Sequence, residues 1–133
     1  MKRVFVDTSA FMAVLYEADP HHSMALSLWQ QSLEGDTVFY TSNYVLVETH
    51  SLLQNRFGSS ASKLFEDEIV PILDVLWVEK DIHRAGMASV ISAGRRNLSL
   101  VDCVSFELMR AHRLKYCFAF DRHFAEQGFA ALS

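Results

Sequence analysis

Hydrophobic and polar positions divide the chain into short apolar runs alternating with longer stretches of helical period. Val4, Phe5 and Val6 are apolar on three consecutive positions, so the strand they predict, 3–7, is buried on both faces, as in a parallel sheet. The same argument predicts a short strand near 37–40, a strand at 72–78, a strand at 116–120 and an edge strand at 129–131. Between them the pattern predicts helices at 10–17, 20–34 with Pro20 at its start, and 43–57 closed by Gly58. Further helices are predicted at 60–69, ending before Pro71 because the residue before a proline resists the α region, then at 81–93, stopped by Gly94, and at 100–112. A short helix follows Asp121. GSSAS at 58–62 reads as a turn. Strands alternating with helices predict parallel βαβ units, an α/β fold in which helices cover a central sheet of about five strands on both sides.

Composition changes this picture little. A chain of 133 residues with 50% apolar and 21% charged residues is an ordinary globular chain, one domain over 1–133. Two cysteines, Cys103 and Cys117, and no leader-like segment predict a reduced, cytoplasmic setting. No apolar stretch approaches the ~20 residues that cross a bilayer, so no membrane is expected. Charge matters more through its distribution than through its net value of −4. Residues 1–81 hold five Lys/Arg against twelve Asp/Glu, whereas residues 82–133 hold seven against four. Arg110, Arg113, Lys115 and Arg122 form a basic segment compatible with phosphate contacts or with plain surface charge.

The polar residues that end the apolar runs carry the candidate chemistry. Asp7 follows the first strand, and Asp121 follows Tyr116–Phe120 in the same way. Both suit helix N-caps, yet both also fall where open α/β sheets place their ligands. Glu48 shares a helix face with Val45 and Leu52, where a carboxylate needs a proton, a partner or a cation unless its head reaches solvent. Asp102 fits a capping box with Ser99, although it also shares a face with Phe106 and Met109. The six histidines lack zinc spacing, and His21, His22 and His50 read as surface or helix-flank residues. No dinucleotide fingerprint, P-loop or hydrolase elbow is present. Carboxylates gathered without histidine or thiolate favour a hard cation, Mg²⁺ or Mn²⁺, and such ions serve phosphodiester hydrolysis.

Four stretches, VFVDTSAF, the helix containing VET, LSLVDCVSFELM and FAFDRHF, occur in this order across the whole chain. In them the sequence resembles the PIN-domain family, and within it the VapC-type ribonuclease toxins of toxin–antitoxin pairs. The resemblance implies a three-layer α/β/α fold and four acids around a divalent cation: Asp7, Glu48, Asp102 and Asp121, with Ser9 in support. Asp7, Asp102 and Asp121 would hold Mg²⁺, and Glu48 a water or a second ion. It further implies hydrolysis of single-stranded or loop RNA to a 5′-phosphate and a 3′-hydroxyl, a homodimer, and inhibition by a cognate antitoxin. Arg113 and Arg122 are the expected RNA contacts. Two alternatives remain: a PIN-domain ribonuclease of RNA maturation, and a non-catalytic, Mg²⁺-binding signalling domain of receiver type.

Overall fold

The computed structural model of the chain describes residues 1–133. Its elements are β1 (Lys2–Val6), α1 (Thr8–Leu15), α2 (His22–Glu34), β2 (Thr37–Ser42), α3 (Asn43–Phe57) and α4 (Ser59–Glu68). A 3₁₀ turn at Val70–Ile72 leads to β3 (Asp74–Leu76), α5 (Lys80–Ala93), α6 (Leu100–Ala111), β4 (Tyr116–Phe118), α7 (His123–Glu126) and β5 (Ala130–Ala131). All strand pairs are parallel, in the order β3-β2-β1-β4-β5. The three-layer α/β/α architecture expected from the alternation is the one observed. Receiver-type domains follow the order 2-1-3-4-5, so the topology removes that alternative.

Position in the sheet explains the burial of β1. It is the central strand, and Val4, Phe5 and Val6 are fully buried. On one side Phe11 of α1 meets Trp29 of α2 and Phe65 of α4 edge-on, and Trp29 stacks on Phe39 of β2. On the other, Phe106 of α6 packs on Phe124 and Phe129. The chain runs from β1 towards β2 on one flank and returns to β4 on the other, so the strand order reverses between β1 and β4. Ligands bind in the crevice at such a reversal, outside the carboxyl ends of the strands.

Three elements differ from the pattern-based expectation. The strand expected at 72–78 is only Asp74–Leu76, because Pro71 belongs to a 3₁₀ turn and Trp77, 68% exposed, lies beyond an edge strand. The strand expected at 116–120 stops at Phe118. The Phe120 N–H donates to the Ser9 hydroxyl at 3.0 Å, so the chain leaves the ladder and turns to the sheet end. Of the expected GSSAS turn only Gly58 is non-helical, with φ 90°.

α5 and α6 pack at very short range through Gly86. A Cβ built there would lie 2.5 Å from Val104 Cγ2 and 3.0 Å from the Val104 backbone nitrogen. Alanine gains up to about 1 kcal/mol of helix propensity, but overpacking costs about 1–3 kcal/mol. Gly86→Ala is therefore expected to lower stability by about 1 kcal/mol or more, measured as a reduced urea midpoint at unchanged slope.

Candidate metal centre

At the reversal point Asp7 and Asp102 are placed by helix caps and Asp121 by a local turn. Asp7 follows β1 in extended conformation and caps α1, its Oδ2 accepting from the Ser9 N–H at 3.1 Å and from the Ser9 hydroxyl at 2.7 Å. Its N–H donates to the Phe118 carbonyl at 3.0 Å, which locks the end of β1 to the end of β4. Asp102 stands in the first turn of α6 in a complete capping box. It accepts from the Ser99 N–H while its own N–H donates to the Ser99 hydroxyl, both at 3.1 Å. Asp121 follows β4, and its Oδ1 accepts from the His123 N–H at 3.0 Å. For Asp7 and Asp102 the two readings, cap and ligand, are therefore compatible, and capping aims both carboxylates. Asp121, expected as an N-cap, is not one, because α7 starts a residue later with Arg122 at its N-cap.

One oxygen from each of Asp7, Asp102 and Asp121 lies within 4.8 Å of the others. At an effective dielectric near 20, two charges at that separation repel by about 3 kcal/mol. No lysine, arginine or histidine forms an ion pair with any of the three. Asp7 is only 3% exposed, and its Oδ1 is buried with no hydrogen-bond partner. Burial pushes the Asp7 carboxyl up to about 7; the Ser9 hydroxyl opposes this, and the Asp121 and Asp102 charges reinforce it. Asp121 is also raised, first by burial and then by Asp102. A buried carboxylate with one oxygen unpartnered, beside two further carboxylates, fits a divalent cation, and an all-oxygen donor set favours a hard one. Both cysteines are buried, and burial raises their thiols, Cys117 to about 11, which leaves them protonated and outside this chemistry.

The cluster forms part of the wall of an open hollow of about 490 Å³. Glu48 lines the same hollow from α3, half-buried, but stands outside the group of three. Its helix is set against α1 by a buried hydrogen bond between the Thr8 and Thr49 hydroxyls, 3.0 Å, and by Thr8 donating to the Val45 carbonyl. The buried face of α3 is thus Val45, Thr49 and Leu53, with Leu52 only partly covered. That places Glu48 beside the core rather than in it.

The two arginines expected to touch RNA fare differently. Arg122 is exposed directly after Asp121. Arg113 occupies the turn between α6 and β4 with φ 56°, and its carbonyl accepts from the Arg3 guanidinium at 3.1 Å. It stands at the amino ends of β1 and β4, the edge of the sheet opposite the carboxylates, and we assign it no substrate contact. Pattern reading missed Arg56 and His21, which both line the hollow. Arg56 follows Glu48 by two helical turns through Leu52, a spacing visible in the sequence. His21 carries no such signal, because it arrives by tertiary packing.

The PIN domain family model matches residues 4–130. The 23S rRNA-specific endonuclease VapC20 of Mycobacterium tuberculosis is 32% identical over 127 residues, 95% of each chain. The crystal structure of that protein, described as a sarcin–ricin loop cleaving toxin, superposes with a TM-score of 0.84 at 31% identity over 96% of each chain. FitAcB from Neisseria gonorrhoeae shares the fold at a TM-score of 0.69 and 16% identity, over 98% of this chain and 96% of its own.

A carboxyl raised above its unfolded value binds its proton more tightly in the folded state. Its contribution is intact below the unfolded pKa and is lost as pH rises through the folded one. In EDTA the melting temperature is therefore expected to fall from about pH 4, most steeply midway between the unfolded and folded values where only the folded state holds the proton, and to level off above about pH 7. Asp7→Asn, which mimics the protonated carboxyl, is expected to flatten this dependence. Thermal melts of both proteins across that range measure it.

Proposed function

Since the chain belongs to the PIN-domain family, in its VapC-type branch, we propose that it is a Mg²⁺-dependent endoribonuclease and the toxin of a toxin–antitoxin pair. One observation carries the reading: three carboxylates from three separate elements converge at the reversal of a parallel sheet, and one keeps a buried oxygen unpartnered. Structural capping alone requires no such convergence. The likeness to an endonuclease named for 23S rRNA extends over nearly the whole chain, and it supports an RNA loop as substrate.

The residues divide the work by position. Asp7, Asp102 and Asp121 would hold the cation; the Ser9 hydroxyl fixes the Asp7 carboxylate through Oδ2, and Oδ1 has no partner within the protein. When bound, the ion supplies positive charge for phosphate oxygens and for an attacking water. Glu48, on α3 in the wall of the same hollow, accepts a hydrogen bond from that water and orients it for in-line attack, with a 5′-phosphate and a 3′-hydroxyl as products. Arg56 lines this hollow and Arg122 flanks Asp121, so that guanidinium groups can meet phosphate next to an acidic floor. We also infer a homodimer, for which exposed apolar side chains such as Val47, Trp77 and Ile91 are available. A small antitoxin holds the enzyme in check by laying a segment over the hollow.

RNA cleavage is expected to vanish in EDTA and return with Mg²⁺ or Mn²⁺; undiminished cleavage in excess chelator would refute the proposal. Asp102→Asn tests the same site through stability. Loss of the charge near the α6 N-terminus costs up to about 1 kcal/mol, but relief of repulsion contributes about 3 kcal/mol. At pH 8 in EDTA this variant should melt higher than the parent, lose the stabilisation by Mg²⁺, and cleave no RNA. Variants that melt lower and still cleave would make Asp102 a cap only.

Binding to single-stranded RNA should also depend on salt. Replacing Arg56 and Arg122 by glutamine is expected to reduce the slope of log affinity against log salt by about 0.7 for each phosphate that is no longer neutralised. Arg113→Gln should leave the slope unchanged. Filter binding with Ca²⁺ in place of Mg²⁺ measures all three.

A further inference from the structure

Aromatic rings lead in a series from the core to the rim of the carboxylate hollow. Phe118, at the end of β4, is buried and meets Phe120 edge-on, with ring centroids 5.8 Å apart at 62°. Phe120 is half-buried and fixed by its N–H on the Ser9 hydroxyl. The His21 imidazole then lies flat on Phe120, 4.5 Å between centroids and 10° between planes, and is itself exposed. Phe120 and His21 both line the hollow.

The local chain holds His21 in that place without using its ring. Asp19 accepts from the His21 N–H at 2.8 Å through its side chain and from the His22 N–H at 3.0 Å through its carbonyl. His21 occupies the N-cap of α2, but its side chain makes no capping bond. His22, His50, His83 and His123 each engage a ring nitrogen in a hydrogen bond within the protein. The His21 ring is committed only through the face that covers Phe120, so its opposite face is available.

We propose that His21 and Phe120 form a stacking platform for one base of a single-stranded RNA entering the hollow, with His21 as a positioning residue for the substrate. The proposal rests on the nuclease reading above. Stacking on an aromatic face accepts any base, because every base has a π-face. It demands a base that has left its own helix, so a platform at this rim selects loops and single strands over duplex. Phe120 immediately precedes Asp121, so a base held there keeps its neighbouring phosphate close to the carboxylates. Arg56, on another wall of the hollow, meets the backbone. The competing explanation is that His21 simply seals the start of α2 against the end of β4, which would affect stability and not binding.

The test uses a short single-stranded RNA carrying 2-aminopurine, titrated with the full chain in Ca²⁺, together with initial rates in Mg²⁺. The parent is expected to quench the fluorescence on binding. His21→Ala should weaken affinity about tenfold, abolish the quench, and raise KM with little change in kcat. His21→Phe should restore both affinity and quench, a rescue that a sealing contact does not predict for ligand binding. If His21→Ala binds with parental affinity and quench while the parent cleaves RNA, the platform is wrong and the nuclease reading stands. A parent that neither binds nor cleaves this RNA overturns both.

Discussion

Mutual repulsion among Asp7, Asp102 and Asp121 is the constraint around which the sheet end is organised. Three carboxylates with oxygens inside 4.8 Å repel one another when ionised, and no basic side chain forms an ion pair with any of them. Asp7, the most deeply buried of the three, has its carboxyl raised to about 7, by burial first and then by the neighbouring charges. The same withdrawal would favour a bound cation, since a charge held there would meet little competing solvent. Stability of the empty protein and readiness of the centre are therefore opposed, as is common where a site breaks the rule that buried charges are paired.

Short polar links hold the crowded arrangement together. The Ser9 hydroxyl donates to Asp7 and accepts from the Phe120 N–H, so one side chain sets both a carboxylate and the departure of the chain from β4. Thr41 donates to the Val6 carbonyl at 2.9 Å, fixing the residue before Asp7 from the β2 side. Thr8 joins α1 to α3 and so places Glu48. Each of these hydroxyls replaces a hydrogen bond that the regular sheet or helix cannot offer at its end.

Much of this organisation is legible in the amino-acid order, for a physical reason. Burial on both faces makes Val4–Val6 an uninterrupted apolar run, and the N-cap preference for Asp and Ser marks where helices begin at Asp7 and Ser99. Since ligands gather at carboxyl ends of parallel strands, run-then-aspartate patterns at Asp7 and Asp121 point to the site from local sequence. Helical period likewise aligns Glu48 with Leu52 and Arg56. The bounds of β3 and β4 were less legible, because Pro71 and the Ser9–Phe120 hydrogen bond override the apolar pattern.

Tertiary structure decided the rest. Asp102 meets Asp7 and Asp121 only because the first turn of α6 comes to the ends of β1 and β4, which no spacing encodes. Arg113 and Arg122 look equivalent in a basic segment, yet β4 runs between them and sends them to opposite edges of the sheet. His21 and Phe120 are separated by most of the chain and meet only because α2 begins where β4 ends. Local order in the chain carries the elements and the placing of acids at strand ends, because hydrophobic period and capping act within a few residues. Only the fold decided which charges and rings share one hollow, because that depends on how distant elements pack.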